Sequence, residues 1–396
     1  MIKDKRKEKL LYLVWRFGPI SRSELASKMN LNLPTISNLV NELINSGKLI
    51  EQGYADSTGG RKPQLLEINT NDSSIIAVYV SSKSITSVLS DMKGNWSERE
   101  IINISQPYSV DDILSKLMEI FEKQISKSRS SGKQIKKAGI AISGIVDSIK
   151  GISMKFPRCD EWSEIPLKKM IEEKFGITTI VENNIRAIGL AENLLGRYKE
   201  YKNILYINLG PGIGMGIIIN GNLYKGSNLN AGEFGHITIV EDGPLCYCGN
   251  NGCLERVASD YAMVDVASNA IKQGVSTKIT SFISGDNGEV TAEAIFKASK
   301  SGDRFAYNLI EKSTHYIGTG IANLLNLFGS ELIVLGGDMA SFEDQILEPI
   351  NRTIRQRALE RIADNARIVF SSFGKDEGVM GAIVLALNDY YENLEL

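Results

Sequence analysis

The chain has 396 residues, 43% hydrophobic and 23% charged, with four cysteines and a net charge of −2. That balance supplies a sizeable core over about two to three domains, excludes a disordered chain, and argues against bulk affinity for nucleic acid. No apolar stretch reaches the ~18 residues of a membrane span, no apolar run follows the charged N-terminus, and the cysteines are too few for a disulfide scaffold; a cytoplasmic protein is expected.

The charge is unevenly spread. Residues 1–70 hold eleven Lys/Arg and seven Asp/Glu, a net of +4, which leaves −6 for the rest. Within this basic head, Leu10, Val14 and Phe17 mark one face of a helix, and Gly18-Pro19 stops it. Ser21-Arg22-Ser23-Glu24 has the form of a capping box and opens a second helix with Leu25 and Met29. Asn30-Leu31-Asn32 makes a turn, Pro34 suits the first turn of a third helix, and Ile36, Val40 and Leu43 form its buried stripe up to Ser46-Gly47. Away from that stripe stand Thr35, Ser37, Asn38 and Asn41, short polar side chains that suit base edges. Lys48 to Glu67 read as a hairpin around Asp56–Pro63, a basic tip where Arg61 and Lys62 can grip phosphates or enter a minor groove. The order predicts a winged helix-turn-helix that binds DNA; a three-helix protein-interaction domain is the alternative.

From about residue 74 the pattern changes. Strands are expected at Ser74–Val80, Ile85–Asp91 and Trp96–Ile104, a helix at Val110–Lys127, and a strand at Ala138–Ser143. A helix at Pro166–Phe175, a strand at Thr178–Val181 and a helix at Asn183–Arg197 follow. A comparable set begins with strands Ile204–Asn208 and Gly214–Asn220. It continues with strand Leu332–Leu335, a helix after Asp338, strand Arg367–Phe370 and a last helix from Glu377. This double series predicts two α/β lobes with a ligand cleft between them.

Three motifs carry chemistry. His236, Cys246, Cys248 and Cys253 have the spacing H-x9-C-x-C-x4-C; one imidazole and three thiolates make a closed structural Zn²⁺ shell, unless these are simply buried thiols. Cys159 and His315 stand apart and read as packed residues. The glycine-rich run Leu209–Gly216 after a strand lets backbone N–H groups approach a phosphate, or makes a tight hairpin. Gly336-Gly337 is equally double in meaning. The polar residues Glu182, Asn183, Asn184, Glu233 and Glu255 suit a ligand rich in hydroxyls, or a helix cap and surface acids.

Together these residues resemble the ROK family of bacterial repressors, open reading frames and sugar kinases, in its regulator branch of xylose-, N-acetylglucosamine- and glucose-responsive repressors. Gly232–His236 and Cys246–Glu255 match the family's zinc signature, and Gly59–Pro63 resembles the wing tip of its repressors. The resemblance implies an α/β chain with a winged helix-turn-helix over residues 1–70. Behind it stands a two-lobed actin/hexokinase-like (ribonuclease H-like) ROK domain over 71–396. The first lobe covers about 71–185 and the second about 186–396, with the last helix packing back on the first. It implies sugar contacts at Asn183, Glu233, His236 and Glu255, with Asn184 beside them. One His236 nitrogen would then face zinc and the other the sugar.

The resemblance breaks at the nucleotide. Tyr79–Lys83 stands where the kinases have D-x-G-G-T, Pro211 where they have Thr, and Asn184 where they have the catalytic Asp. An amide cannot take a hydroxyl proton. The expected protein is therefore no enzyme. It is a regulator, a repressor of carbohydrate-utilisation genes, that binds operator DNA as a homodimer or tetramer. It answers to a sugar or sugar phosphate that selects one lobe closure and so resets the spacing of the DNA heads. The alternative is an active ATP-dependent sugar kinase with a DNA-binding head. A third reading is control by a protein partner from sugar transport.

Overall fold

The computed structural model describes residues 5–54, 62–283 and 288–393. The chain divides into two compact units, residues 1–187 with 378–396, and residues 188–377.

The first unit opens with helices Lys5–Phe17, Arg22–Met29 and Leu33–Asn45 and a three-stranded antiparallel sheet. In that sheet Gln64–Ile68 lies between Ile20–Ser21 and Leu49–Tyr54. Local chemistry sets the boundaries. The Glu24 N–H donates to Ser21 Oγ at 3.3 Å, while the Ser21 N–H donates to the Glu24 carboxylate at 2.9 Å, a closed capping box. Asn32 Oδ1 accepts the Thr35 N–H at 2.9 Å and caps the third helix, with Pro34 in its first turn. Leu10, Leu25, Ile36, Val40 and Leu66 fill the core between these elements and are wholly buried.

The first helix departs from its sequence stripe. Phe17 is only half-buried, and Lys28 Nζ sits 3.9 Å from its ring centroid. Trp15, off the stripe, is buried. Its ring stacks on Tyr391 of the last helix, centroids 5.0 Å apart and 21° between planes. Tyr391 in turn donates its hydroxyl to the Met92 carbonyl at 2.8 Å. The helix is thus buried on two faces, and one of them rests on residues at the far end of the chain. Trp15→Ala should cost about 3–5 kcal/mol, as for other large-to-small core changes; the fall in melting temperature measures it.

The rest of the first unit is a five-stranded sheet in the order Thr179–Asn183, Gln134–Ile142, Ser73–Val80, Ser84–Ser90, Trp96–Asn103. The first three run parallel and the others antiparallel. Helix Val110–Ser130 packs Ile113, Leu117 and Phe121 into a core shared with Ile76, Val78 and Ile140. The last helix, Glu377–Glu392, is buried almost all round and lies close to the sheet: a side chain on Gly139 would overlap the Ala382 carbonyl. A small hairpin, Ile145–Asp147 with Ile152–Lys155, was not expected from sequence. Its strands are too short to show a period, and Asp147 Oδ1 ties its turn by accepting the N–H groups of Ile149 and Lys150.

The second unit has its own five-stranded sheet, in the order Asn222–Leu223, Ile213–Ile219, Ile204–Leu209, Leu332–Gly336, Arg367–Phe370. The long helix Arg304–Phe328 buries Ile310, Ile317, Ile321 and Leu325 in a core with Leu205, Ile207, Phe234 and Leu335. The helix expected over Asn183–Arg197 spans Asn184–Leu194, and the Gly196 N–H turns back to the Ala191 carbonyl to end it. Among the described residues no helix is long and apolar enough to cross a membrane.

Candidate functional site

The second unit brings His236, Cys246, Cys248 and Cys253 together, with one ligand atom from each within 4.8 Å of the others. Backbone geometry does the gathering. The Thr238 and Cys253 backbones bridge, and so do Leu245 and Asn251. The Cys246 N–H donates to the Asn250 carbonyl at 2.8 Å, and the Gly249 N–H to the Cys246 carbonyl at 3.0 Å, which folds the C-x-C segment into a tight turn. Gly252 has φ of +67°, and any side chain there would overlap the Val240 carbonyl. His236 Nδ1 lies 3.8 Å from Cys246 Sγ, and Cys248 Sγ lies 3.6 Å from Cys253 Sγ. Burial pushes the Cys253 thiol up to about 12. One imidazole and three sulfurs within reach of one another are a cluster of the kind that holds a metal ion, which would bind the sulfurs as thiolates.

The other face of the imidazole is already engaged. His236 Nε2 is 3.2 Å from the Tyr247 hydroxyl, a contact that fixes the ring. Tyr247 escaped the sequence reading; its place between two cysteines was the only signal. Glu255 joins the cluster to the glycine run, since its carboxylate accepts the Ile213 N–H at 2.8 Å. Glu233 is exposed and immediately precedes the short 3-10 turn Phe234–His236.

The glycine runs have structural duties. Gly210–Gly212 is the turn of an antiparallel hairpin, tied by Asn208 Nδ2 donating to the Gly212 carbonyl at 3.1 Å. Gly216 is in a strand, where the position of a Cβ on Gly189 falls 3.3 Å from its Cα, so glycine lets helix and strand approach. At Gly336-Gly337, Tyr206 and Glu377 take the space: Glu377 accepts the Tyr206 hydroxyl and the Gly337 N–H, both at 2.9 Å. Glu192 is buried with them in this unit and accepts Ser371 Oγ, Ser372 Oγ and the Ser372 N–H.

Burial pushes the Glu377 carboxyl up to about 7, against an ordinary 4.5, although Tyr206 and Gly337 donate to it. The folded state therefore holds this proton more tightly than the unfolded chain does. The resulting stability is complete below pH 4.5 and is lost as the pH rises through 7. That gap corresponds to about 3 kcal/mol. Glu377→Gln, uncharged at every pH, should flatten the loss, and melting temperatures between pH 5 and 8 read the difference.

In the first unit, Asn183 Oδ1 accepts the N–H groups of Ile185 and Arg186, at 2.9 and 3.1 Å, and Nδ2 donates to the Gly144 carbonyl at 2.8 Å. The residue is a helix cap and a tether for the Gly144 loop, with one amide hydrogen left over. Asn184 follows it, buried to 7% exposure. Glu182 and Arg186 form a buried pair at 2.7 Å. Tyr79 lies against the start of the last helix, where a Cβ on Gly378 would stand 2.5 Å from its ring. Cys159 is a buried free thiol, and His315 packs beside Thr353 and Arg357.

On the third N-terminal helix, Asn38 and Asn41 are exposed, while Thr35 and Ser37 are half-buried. Arg22 contacts Asn41 Oδ1 at 3.4 Å and pairs with Glu51 at 2.5 Å. Lys62 is exposed. Arg61 lies outside the described residues.

A family model described as "ROK family" matches residues 75–389. The chain is 33% identical to the xylose repressor of Caldicellulosiruptor bescii over 370 residues, 93% of this chain and 92% of that one. It is also 33% identical to the glucokinase of Halalkalibacterium halodurans, but over 270 residues, 68% of this chain and 81% of that one. The crystal structure of a ROK family transcriptional regulator, a homolog of the E. coli MLC protein, superposes with a TM-score of 0.83 at 28% identity, covering 98% of this chain and 96% of that one.

Proposed function

The chain belongs to the ROK family, and from that premise we propose that it is a sugar-responsive transcriptional repressor of carbohydrate-utilisation genes. One observation carries the reading. The likeness to the ROK family transcriptional regulator of known structure covers 98% of this chain, a share that includes the N-terminal helices and hairpin, whereas the glucokinase matches only 68% of it. The extra segment is a winged helix-turn-helix, whose third helix enters the major groove with Thr35, Ser37, Asn38 and Asn41 while Arg61 and Lys62 hold the wing to DNA. A homodimer sets two such heads on a palindromic operator in the cytoplasm.

The ROK body of this chain is a sensor, and phosphoryl transfer is lost from it. Asn184 offers no base, and Tyr79, at the end of the strand before the turn that the kinases use for phosphate, turns its ring to the last helix. The resemblance assigns sugar contacts to Glu233, His236 and Glu255 in the second unit and to Asn183 and Asn184 in the first; His236 Nε2 takes a sugar hydroxyl by giving up the Tyr247 hydroxyl. The effector works through its difference in affinity for the operator-bound and operator-free states.

Zinc fits the His/Cys cluster. Zn–S bonds of about 2.3 Å give tetrahedral S–S edges of about 3.8 Å, close to the 3.6 Å between Cys248 and Cys253. Four protein ligands close the shell, so the ion is structural, and it braces the segment that carries Glu233 and Glu255.

The test is a mobility shift with DNA from upstream of the chain's own gene, titrated with D-xylose, D-glucose and N-acetylglucosamine. A parallel assay supplies ATP and magnesium. A DNA shift that one sugar reverses, without sugar phosphate, is the expected result. Sugar phosphate formed at each turnover would return the body to the kinases, and operator binding indifferent to every sugar would give control to a protein partner.

A further inference from the structure

His236 turns Nδ1 to the sulfurs, 3.8 Å from Cys246 Sγ, and Nε2 to the Tyr247 hydroxyl at 3.2 Å. With Nδ1 given to a metal, Nε2 carries the ring's hydrogen and can only donate. The Tyr247 oxygen then accepts, which leaves its own hydrogen for the Glu255 carboxylate facing the same hydroxyl. A sugar hydroxyl at this spot makes the same two bonds, one accepted from the imidazole and one donated to the carboxylate. Little else holds the phenol. Tyr247 is 66% exposed, and its ring meets the imidazole edge-on, centroids 5.3 Å apart and 82° between planes. The backbone around it is fixed, the Cys246 N–H on the Asn250 carbonyl and the Gly249 N–H on the Cys246 carbonyl, so rotation of one side chain clears the spot.

We propose that Tyr247 is a gate built from the chain itself, whose hydroxyl stands in for a hydroxyl of the effector at His236 and Glu255 and must swing out before a sugar binds. The inference rests on the sensor reading and adds to it the residue that sets the threshold of the response. A molecule enters only if it brings a hydroxyl that replaces both bonds, because an apolar one leaves the imidazole and the carboxylate without partners. The gate also weakens every sugar by the fraction of time it stands open. Without the phenol hydroxyl, water takes its place, and a sugar displaces water as it does at any open site.

The experiment uses the full chain loaded with zinc, and calorimetric titration with D-xylose, D-glucose and N-acetylglucosamine. Tyr247→Phe keeps the ring and loses the hydroxyl. It should bind at least one of the three about five- to thirtyfold more tightly than the parent, the worth of two such hydrogen bonds. Sugar should also release a tyrosine to solvent in the parent, seen as a tyrosine difference absorbance that Tyr247→Phe lacks. Zinc content and melting temperature show that the variant is folded. Binding seen in Tyr247→Phe alone upholds the proposal. A Tyr247→Phe weaker than the parent overturns it, since the hydroxyl would then be a contact of the sugar. A parent that binds sugar without the tyrosine signal overturns it too. Silence of all three sugars on both proteins overturns the proposal together with the sensor reading. A parent that binds one of them, beside a Tyr247→Phe that gains nothing, overturns the proposal alone.

Discussion

Replacing Cys253 by alanine should strip the chain of one zinc equivalent and lower its stability by about 4 kcal/mol, the linkage expected of a site kept at 1,000 times its Kd. The size of the effect follows from what the residue joins. Cys253 is wholly buried, its backbone bridges Thr238, and it immediately precedes the helix Leu254–Ala258 that carries Glu255. Without the metal, the remaining thiols and the imidazole have no charge to gather around, and the turn at Cys246–Gly249 loses its purpose. Elemental analysis and melting curves measure both halves of the prediction. Cys159→Ala, a buried thiol in the other unit, should leave the zinc content unchanged. A Cys253→Ala protein with full zinc content would show that the cluster is not the site.

Asn38→Ala should weaken operator binding by about 1–3 kcal/mol, roughly five- to 150-fold, and relax the preference at one base position. Asn38 is exposed on the third helix, and the stripe behind it, Ile36, Val40 and Leu43, is buried, so the substitution leaves the fold alone. Lys62→Ala should act differently. A phosphate contact carries no sequence, so affinity should fall evenly across sequences and the salt dependence should lose about one charge. Titrations at two salt concentrations on operator and scrambled DNA separate the two roles. Equal losses on both DNAs for Asn38→Ala would remove it from base readout.

The sequence made the elements legible where a local signal exists. The capping box at Ser21–Glu24 and the strands around Ile76 and Ile207 carry period and cap within a few residues. The His/Cys cluster was legible because four rare side chains lie within eighteen positions. What escaped was long-range. Trp15 meets Tyr391 across nearly the whole chain, and no local pattern encodes such a contact. In the sequence Glu377 marks only the start of the last helix, and the neighbouring Tyr206 and Gly337 reveal a buried carboxyl. The polar run Glu182–Asn184 allowed a cap or a ligand contact; the atoms assign the cap to Asn183, and its oxygen is used by two backbone N–H groups.

The helix Glu377–Glu392 also sets an order of assembly during synthesis. The sheet of the first unit and the DNA head leave the ribosome early, but Trp15 and Gly139 find their partners only when Tyr391 and Ala382 emerge. The second unit, about 190 residues long, lies between them in sequence. At about 5–20 residues per second, that interval lasts about 10–40 s. Throughout it the N-terminal helices and the first sheet stand without the last helix, and the newborn chain completes its first unit only after its second has been made.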